Sequence, residues 1–256
     1  MLVATDAVDG FSDADLRRLL EDMQHARALI RRVFADVVRP ADDGGPSTLL
    51  IFADDAAHRE FFARLGQQWR AEIAPPSAQG YTVQDIATAT YRPELGVRRP
   101  VYLHESVHAI VSRDLRLLVS HDPHTPIQEG IASYVQLCVY PQSLDPQTYV
   151  QNFRKPIDPS GQGFFKPLEM LFSLPATPRQ YAQLASLVAY LLENDQPLLR
   201  ELARGLADGQ TAEEILLNHG TSWQQLQDAW LAWGRQKFPA AQHDHPPPFD
   251  LPAEFR

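Results

Sequence analysis

Hydrophobic positions repeat at helical spacing over most of this chain, broken by a few short β-like runs. Leu2–Ala4 reads as a first strand. Ser12 is an N-cap with Asp15 three residues on, and Leu16, Leu19, Leu20, Met23, Ala26, Leu29, Ile30 and Val33 then mark one face of a long helix over Asp13–Phe34. After the loop Arg39–Ser47, Thr48–Phe52 predicts a buried strand, followed by a helix over Asp55–Leu65. Ala74–Gly80 interrupts the pattern. Tyr81–Tyr91, rich in Thr, Val, Ile and Tyr, predicts a strand or hairpin. Pro100 suits the first turn of a helix whose apolar register runs to about Val119. His121–Pro126 is a connector, and Pro126 opens a second helix, Ile127–Val139.

The C-terminal half is patterned differently. Pro141–Leu174 is irregular, with Pro, Gly, Ser and Asp scattered through it. Tyr181–Glu193 carries apolar residues on most faces and predicts a buried helix. Gln196–Leu206 predicts another, closed by Asp208-Gly209. Thr211 with Glu214 forms a capping box for a short helix ending at Gly220. Ser222 with Gln225 caps a last helix bearing Leu226, Trp230, Leu231 and Trp233. Beyond Pro239 the Pro- and His-rich tail predicts disorder. The pattern implies an α+β lobe over 1–140, a helical lobe of the same domain over 141–238, and a tail over 239–256.

Composition narrows the function. A chain of 256 residues with 44% hydrophobic content supports a real core. A formal net charge of −9 argues against a nucleic-acid face and supplies no basic patch for an anionic membrane. The single cysteine, Cys138, permits no intrachain disulfide, and its apolar helical context predicts a buried thiol. No run of about 20 apolar residues is present to span a membrane. No signal peptide is legible at Met1–Asp6, and the compartment stays open.

The chemistry concentrates at His104-Glu105-Ser106-Val107-His108, an HExxH pattern. On a helix the two histidines lie one turn apart on the same face, where both imidazoles can bind one Zn²⁺ and Glu105 can act as general base on a water. A catalytic zinc needs a third protein ligand. Glu129, in the first turn of the next helix, is one candidate, and Gly130 after it would let the two helices approach closely. Asp114, six residues after His108, is the other. It requires the chain to turn out of the helix near Val111, where the apolar register instead continues, so the pattern favours Glu129. His121 and His124 read as loop histidines. Tyr181, then Tyr190 and Tyr134, are candidate donors to a developing oxyanion. The Tyr81–Tyr91 segment is a candidate edge for an extended peptide. The tail motif His243-Asp244-His245 reads as solvated.

HESVH followed by QEGIASY resembles the gluzincin zinc metallopeptidases, the class containing thermolysin and its aminopeptidase relatives, and above all the bacterial peptidase-MA-like domain proteins. Softer similarity over LVATDAVDG, STLLIFADDAAHREFF, YAQLASLVAYLLE and TAEEILLNHGTSWQQLQDAWLAW extends it to about residues 1–238. The resemblance implies a zincin fold with a mixed-sheet N-terminal lobe, a helical C-terminal lobe and the zinc site between them. It implies a hydrolase acting on a peptide or protein, with His104, His108 and Glu129 as metal ligands and Glu105 as base. Thermolysin-like enzymes place a carboxylate one turn after the third ligand, to orient a zinc histidine; here that position is Ser133. This departure leaves an alternative, a catalytically silent binding or scaffold protein of the same fold. HESVH as two merely partnered helix histidines is the third reading.

Overall fold

The computed structural model describes residues 1–5, 11–39, 46–69, 79–90, 100–119, 122–140, 165–174, 177 and 180–237. Four strands and nine α-helices are present among them. In chain order these are β1 (Leu2–Thr5), α1 (Asp13–Val33), β2 (Thr48–Phe52), α2 (Asp55–Trp69), β3 (Gly80–Val83), β4 (Ile86–Thr90), α3 (Val101–Leu115), α4 (Thr125–Val139), α5 (Leu168–Ser173), α6 (Tyr181–Asn194), α7 (Gln196–Ala207), α8 (Ala212–His219) and α9 (Trp223–Lys237). The molecule is thus mixed helix and sheet, compatible with the α+β expectation.

The sheet is mixed, in the order β1-β2-β4-β3. β1 and β2 pair in parallel, as do β2 and β4. β3 returns antiparallel to β4, with Tyr81 opposite Thr88 and Thr82 opposite Ala87, and forms one edge. Alternation along the strands sorts the two faces. Leu49, Ile51, Ala87 and Ala89 are buried in the main core with residues of α1 and α3. Tyr81 and Thr88 point to the opposite face, where α2 packs. There His58 Nε2 meets Thr88 Oγ1 at 2.8 Å, and Phe62 packs edge-on to Tyr81.

α3 is the central element. Every residue from Tyr102 to Leu115 is buried, although seven of those fourteen side chains are polar or charged among His104, Glu105, Ser106, His108, Ser112, Arg113 and Asp114. Burying such groups costs free energy unless each finds a partner. Each does. Ser106 bonds back to the Tyr102 carbonyl (2.6 Å), and Arg113 reaches Asp85 (2.6 Å). Asp114, 1% exposed at its side chain, accepts from Arg27 and Arg31 of α1 at 2.8–3.1 Å. The two guanidiniums hold its carboxyl below the usual range, although burial alone would raise it.

α3 stops at Leu115, four residues before the Val119 that the apolar register predicts. Arg116 takes a left-handed conformation (φ 59°, ψ 24°) with no glycine to announce it. Tertiary bonds hold this turn: the Leu117 carbonyl accepts from Gln128 Nε2, and the Leu118 N–H donates to His124 Nδ1 at 2.8 Å. α5 also escapes the sequence pattern, lying within a stretch that reads as irregular, with Leu168 and Leu171 buried. The α1, α8 and α9 starts are capped as the sequence predicts: Ser12 with Asp15 and Thr211 with Glu214 form full capping boxes, and Ser222 accepts from the Gln225 N–H. Gly220 ends α8 at φ 82°. Cys138 is half-buried against the core rather than fully buried.

No helix among the described residues is long and apolar enough to cross a membrane. The 239–256 tail, with His243, Asp244 and His245, lies outside the described residues, as do His121 and residues 141–164.

Candidate metal centre

α3 delivers His104 and His108 to one face, and α4, packed beside it, delivers Glu129 from its first turns. The three donor atoms face one another. His104 Nε2 lies 3.1 Å from His108 Nε2 and 3.2 Å from Glu129 Oε2, and His108 Nε2 lies 3.4 Å from Glu129 Oε2. A tetrahedral zinc bound at 2.0–2.1 Å would hold its ligand atoms about 3.3 Å apart. The trio therefore stands at the spacing of one tetrahedral face, and its N, N, O donor set suits Zn²⁺. Among the described residues no other group of three such side chains is placed to hold an ion.

The electrostatics bind the trio together. Burial disfavours charge on His108, but Glu129 outweighs it and pushes the imidazole up to about 9. Burial likewise works against the Glu129 carboxylate, yet His108 and His104 hold it well below the usual range. Glu105 is different: burial pushes its carboxyl above the ordinary value, against the pull of both histidines and of Thr82.

His108 is aimed by a residue that the sequence reading overlooked. Gln128, fully buried, meets His108 Nδ1 with Oε1 at 2.9 Å. Its amide end donates to Ser112 Oγ (3.1 Å) and to the Leu117 carbonyl. A carbonyl can only accept, so the amide orientation is set from that side, and Oε1 must accept from the Nδ1–H of His108. In the neutral form that a metal would bind, the ring then carries its lone pair on Nε2, on the side of Glu129 and His104. The expected place for such support was Ser133, which is buried on α4; the side chain that meets a site histidine is Gln128. A glutamine directly before Glu129, between Ile127 and Ile131, was the available signal.

Tyr181, at the start of α6, lies at the centre. Its ring stacks on His104 with centroids 5.6 Å apart and planes 19° from parallel. Burial, together with the nearby Glu129 and Glu105 carboxylates, pushes its phenol above the usual value. Tyr190 packs against Trp233 instead, and Tyr134 is buried in the core. Asp114 is committed to Arg27 and Arg31 and is not brought to the centre. His124 is structural: Nδ1 accepts from Leu118, and Nε2 donates to the Leu206 carbonyl at 3.0 Å.

Gly130 acts elsewhere than the sequence suggests. A Cβ there would meet Val188 Cγ2 at 2.8 Å and the Leu184 carbonyl at 2.9 Å, so it allows close approach of α4 to α6, not to α3. Gly80 has the equivalent role at the edge strand. A Cβ at that position would meet Val101 Cγ1 and, at 2.7 Å, Glu105 Cγ. No protein-family model matches the chain, and no curated protein matches it.

Proposed function

We propose that this chain is a zinc-dependent metallopeptidase that hydrolyses peptide bonds in a peptide or protein substrate. One observation carries the reading: three donor atoms from two helices converge at 3.1–3.4 Å, with a buried carboxylate, Glu105, on the adjacent residue of α3. His104, His108 and Glu129 would hold the ion, with Gln128 fixing the tautomer of His108. A zinc ion there supplies Lewis-acid polarisation of the scissile carbonyl and acidifies a water. Glu105 takes the proton from that water and delivers it to the leaving amine; its raised proton affinity suits a group that must hold the proton between the two events. Tyr181, beside His104 and Glu129, is the proposed hydrogen-bond donor to the developing oxyanion. The outer edge of β3, unpaired among the described residues, would receive an extended peptide by backbone hydrogen bonds.

The finer fold assignment belongs to the same proposal: a gluzincin-like zincin, with an α+β lobe over 1–140, a helical lobe over 141–238 and the site between them. It is supported by the order of parts, in which an edge strand flanks the HExxH helix and the third ligand comes from the next helix.

The test is cleavage of a diverse quenched-fluorescence peptide library by zinc-loaded protein, with a chelator control. Glu105→Gln is expected to retain zinc and lose about 10²–10⁴-fold in turnover, the usual worth of a general base. Unchanged cleavage by a zinc-retaining Glu105→Gln protein would refute the mechanism. Absence of any zinc-dependent cleavage by the native chain would refute the function.

A further inference from the structure

Glu105 is presented to the edge strand. Thr82 of β3, 4% exposed, places its Oγ1 2.7 Å from Glu105 Oε2 and 2.9 Å from the Glu105 backbone carbonyl. One hydroxyl proton faces two acceptors. The carbonyl lies inside α3, where the N–H four residues on is its ordinary partner. The carboxylate is more dependent, because Thr82 is its only hydrogen-bonding partner among the described residues. A carboxylate turns easily about its last torsion, so a single partner decides its direction. The methylenes of Glu105 are confined by the same strand, since the Cβ position of Gly80 lies 2.7 Å from Glu105 Cγ. Gly80 and Thr82, two residues apart, act on the same face of β3 and grip Glu105 at stem and head.

The same residues stand at the edge of the sheet formed by the described strands. The Gln79 carbonyl accepts from the Thr90 N–H at 2.7 Å, which sets the phase of the β3–β4 ladder. Gln79, Tyr81 and Val83 therefore direct their backbone groups inward to β4, while Gly80 and Thr82 direct theirs outward. Thr82 joins two tasks: its backbone faces the position of an added strand, and its hydroxyl holds Glu105.

Resting on the metallopeptidase reading, we infer that Thr82 is a positioning residue that aims the Glu105 carboxylate at the His104–His108–Glu129 centre from the substrate-facing edge strand. It touches neither the ion site nor the scissile bond. Its effect runs through Glu105.

The experiment uses the full chain with Thr82→Val, which keeps the shape and backbone, Thr82→Ser, which keeps the hydroxyl, and Glu105→Ala with and without Thr82→Val. In urea unfolding of metal-free protein, Thr82→Val is expected to lower the midpoint in the native background and to leave it unchanged in the Glu105→Ala background. Thr82→Ser is expected to retain the native midpoint. Equal losses in both backgrounds would overturn the inference, because the hydroxyl would then serve the helix carbonyl or packing alone. With zinc-loaded protein, Thr82→Val should lose about 10–100-fold in kcat, the usual cost of removing an outer-sphere partner, with KM and zinc affinity unchanged and Thr82→Ser restoring the rate. A change confined to KM, or no rescue by serine, would also overturn it. If the native chain cleaves no peptide, the metallopeptidase reading fails on that result alone. The urea comparison still decides whether Thr82 holds Glu105.

Discussion

Gln128 shows how one side chain can settle the chemistry of another. Its amide is pinned at the nitrogen end by Ser112 and by the Leu117 carbonyl, so its oxygen is the only atom available to His108. Replacing it with Met would keep the volume and remove both functions. Gln128→Met is expected to weaken zinc binding about 10–100-fold, measured by competition with a chromophoric chelator, while Ser133→Ala leaves affinity nearly unchanged. Equal effects at the two positions would show that orientation of His108 does not depend on Gln128. At this scale the three side chains that could hold an ion were legible from sequence, because HExxH spacing and an early-helix Glu129 are local facts. The aiming residues were not. Gln128 and Thr82 are common polar residues whose importance comes from what the fold sets opposite them.

Among the elements, α3 and α4 define the centre, and α6 fixes α4. The contact of α4 with α6 passes through Gly130, where a methyl group would meet a helix backbone carbonyl at 2.9 Å. Backbone cannot give way as a side-chain tip can. Gly130→Ala is therefore expected to destabilise the protein by about 1–3 kcal/mol, although alanine is intrinsically the better helix former by about 1 kcal/mol. Denaturant unfolding would show it, and a neutral or stabilising result would mean that α4 and α6 can part without cost. Helix existence and most caps were readable because periodicity and capping boxes are local. The end of α3 was not. Leu117 and Leu118 continue the apolar pattern, and only the bonds to Gln128 and His124 make a left-handed Arg116 the better solution. α5 was missed for a related reason: six residues carry too few periods for the pattern to register.

Across the whole molecule, a bound ion would join elements separated in sequence. Any ligand that binds only the folded state stabilises it, by about 2.7 kcal/mol at a free concentration 100 times its dissociation constant. For a chain of this size that corresponds to a rise in Tm of roughly 5–10 °C. Zinc is expected to produce this shift in the native chain, EDTA to reverse it, and His104→Ala with His108→Ala to abolish it, as measured by thermal unfolding at fixed protein concentration. Retention of the shift in the double variant would place the metal elsewhere.

The amino-acid sequence by itself determined most of the helices and strands, the caps that begin α1, α8 and α9, and the pairing of His104 with His108 on one helical face. All of these follow from interactions within a few residues. The tertiary structure decided the rest. It brought Glu129 to the two histidines and committed Asp114 to Arg27 and Arg31. It set Gln128 behind His108, placed Thr82 and Gly80 against Glu105, and stacked Tyr181 on His104. A buried polar group must find its partner wherever the packed chain supplies one, and that supply is a property of the three-dimensional arrangement rather than of neighbours along the chain.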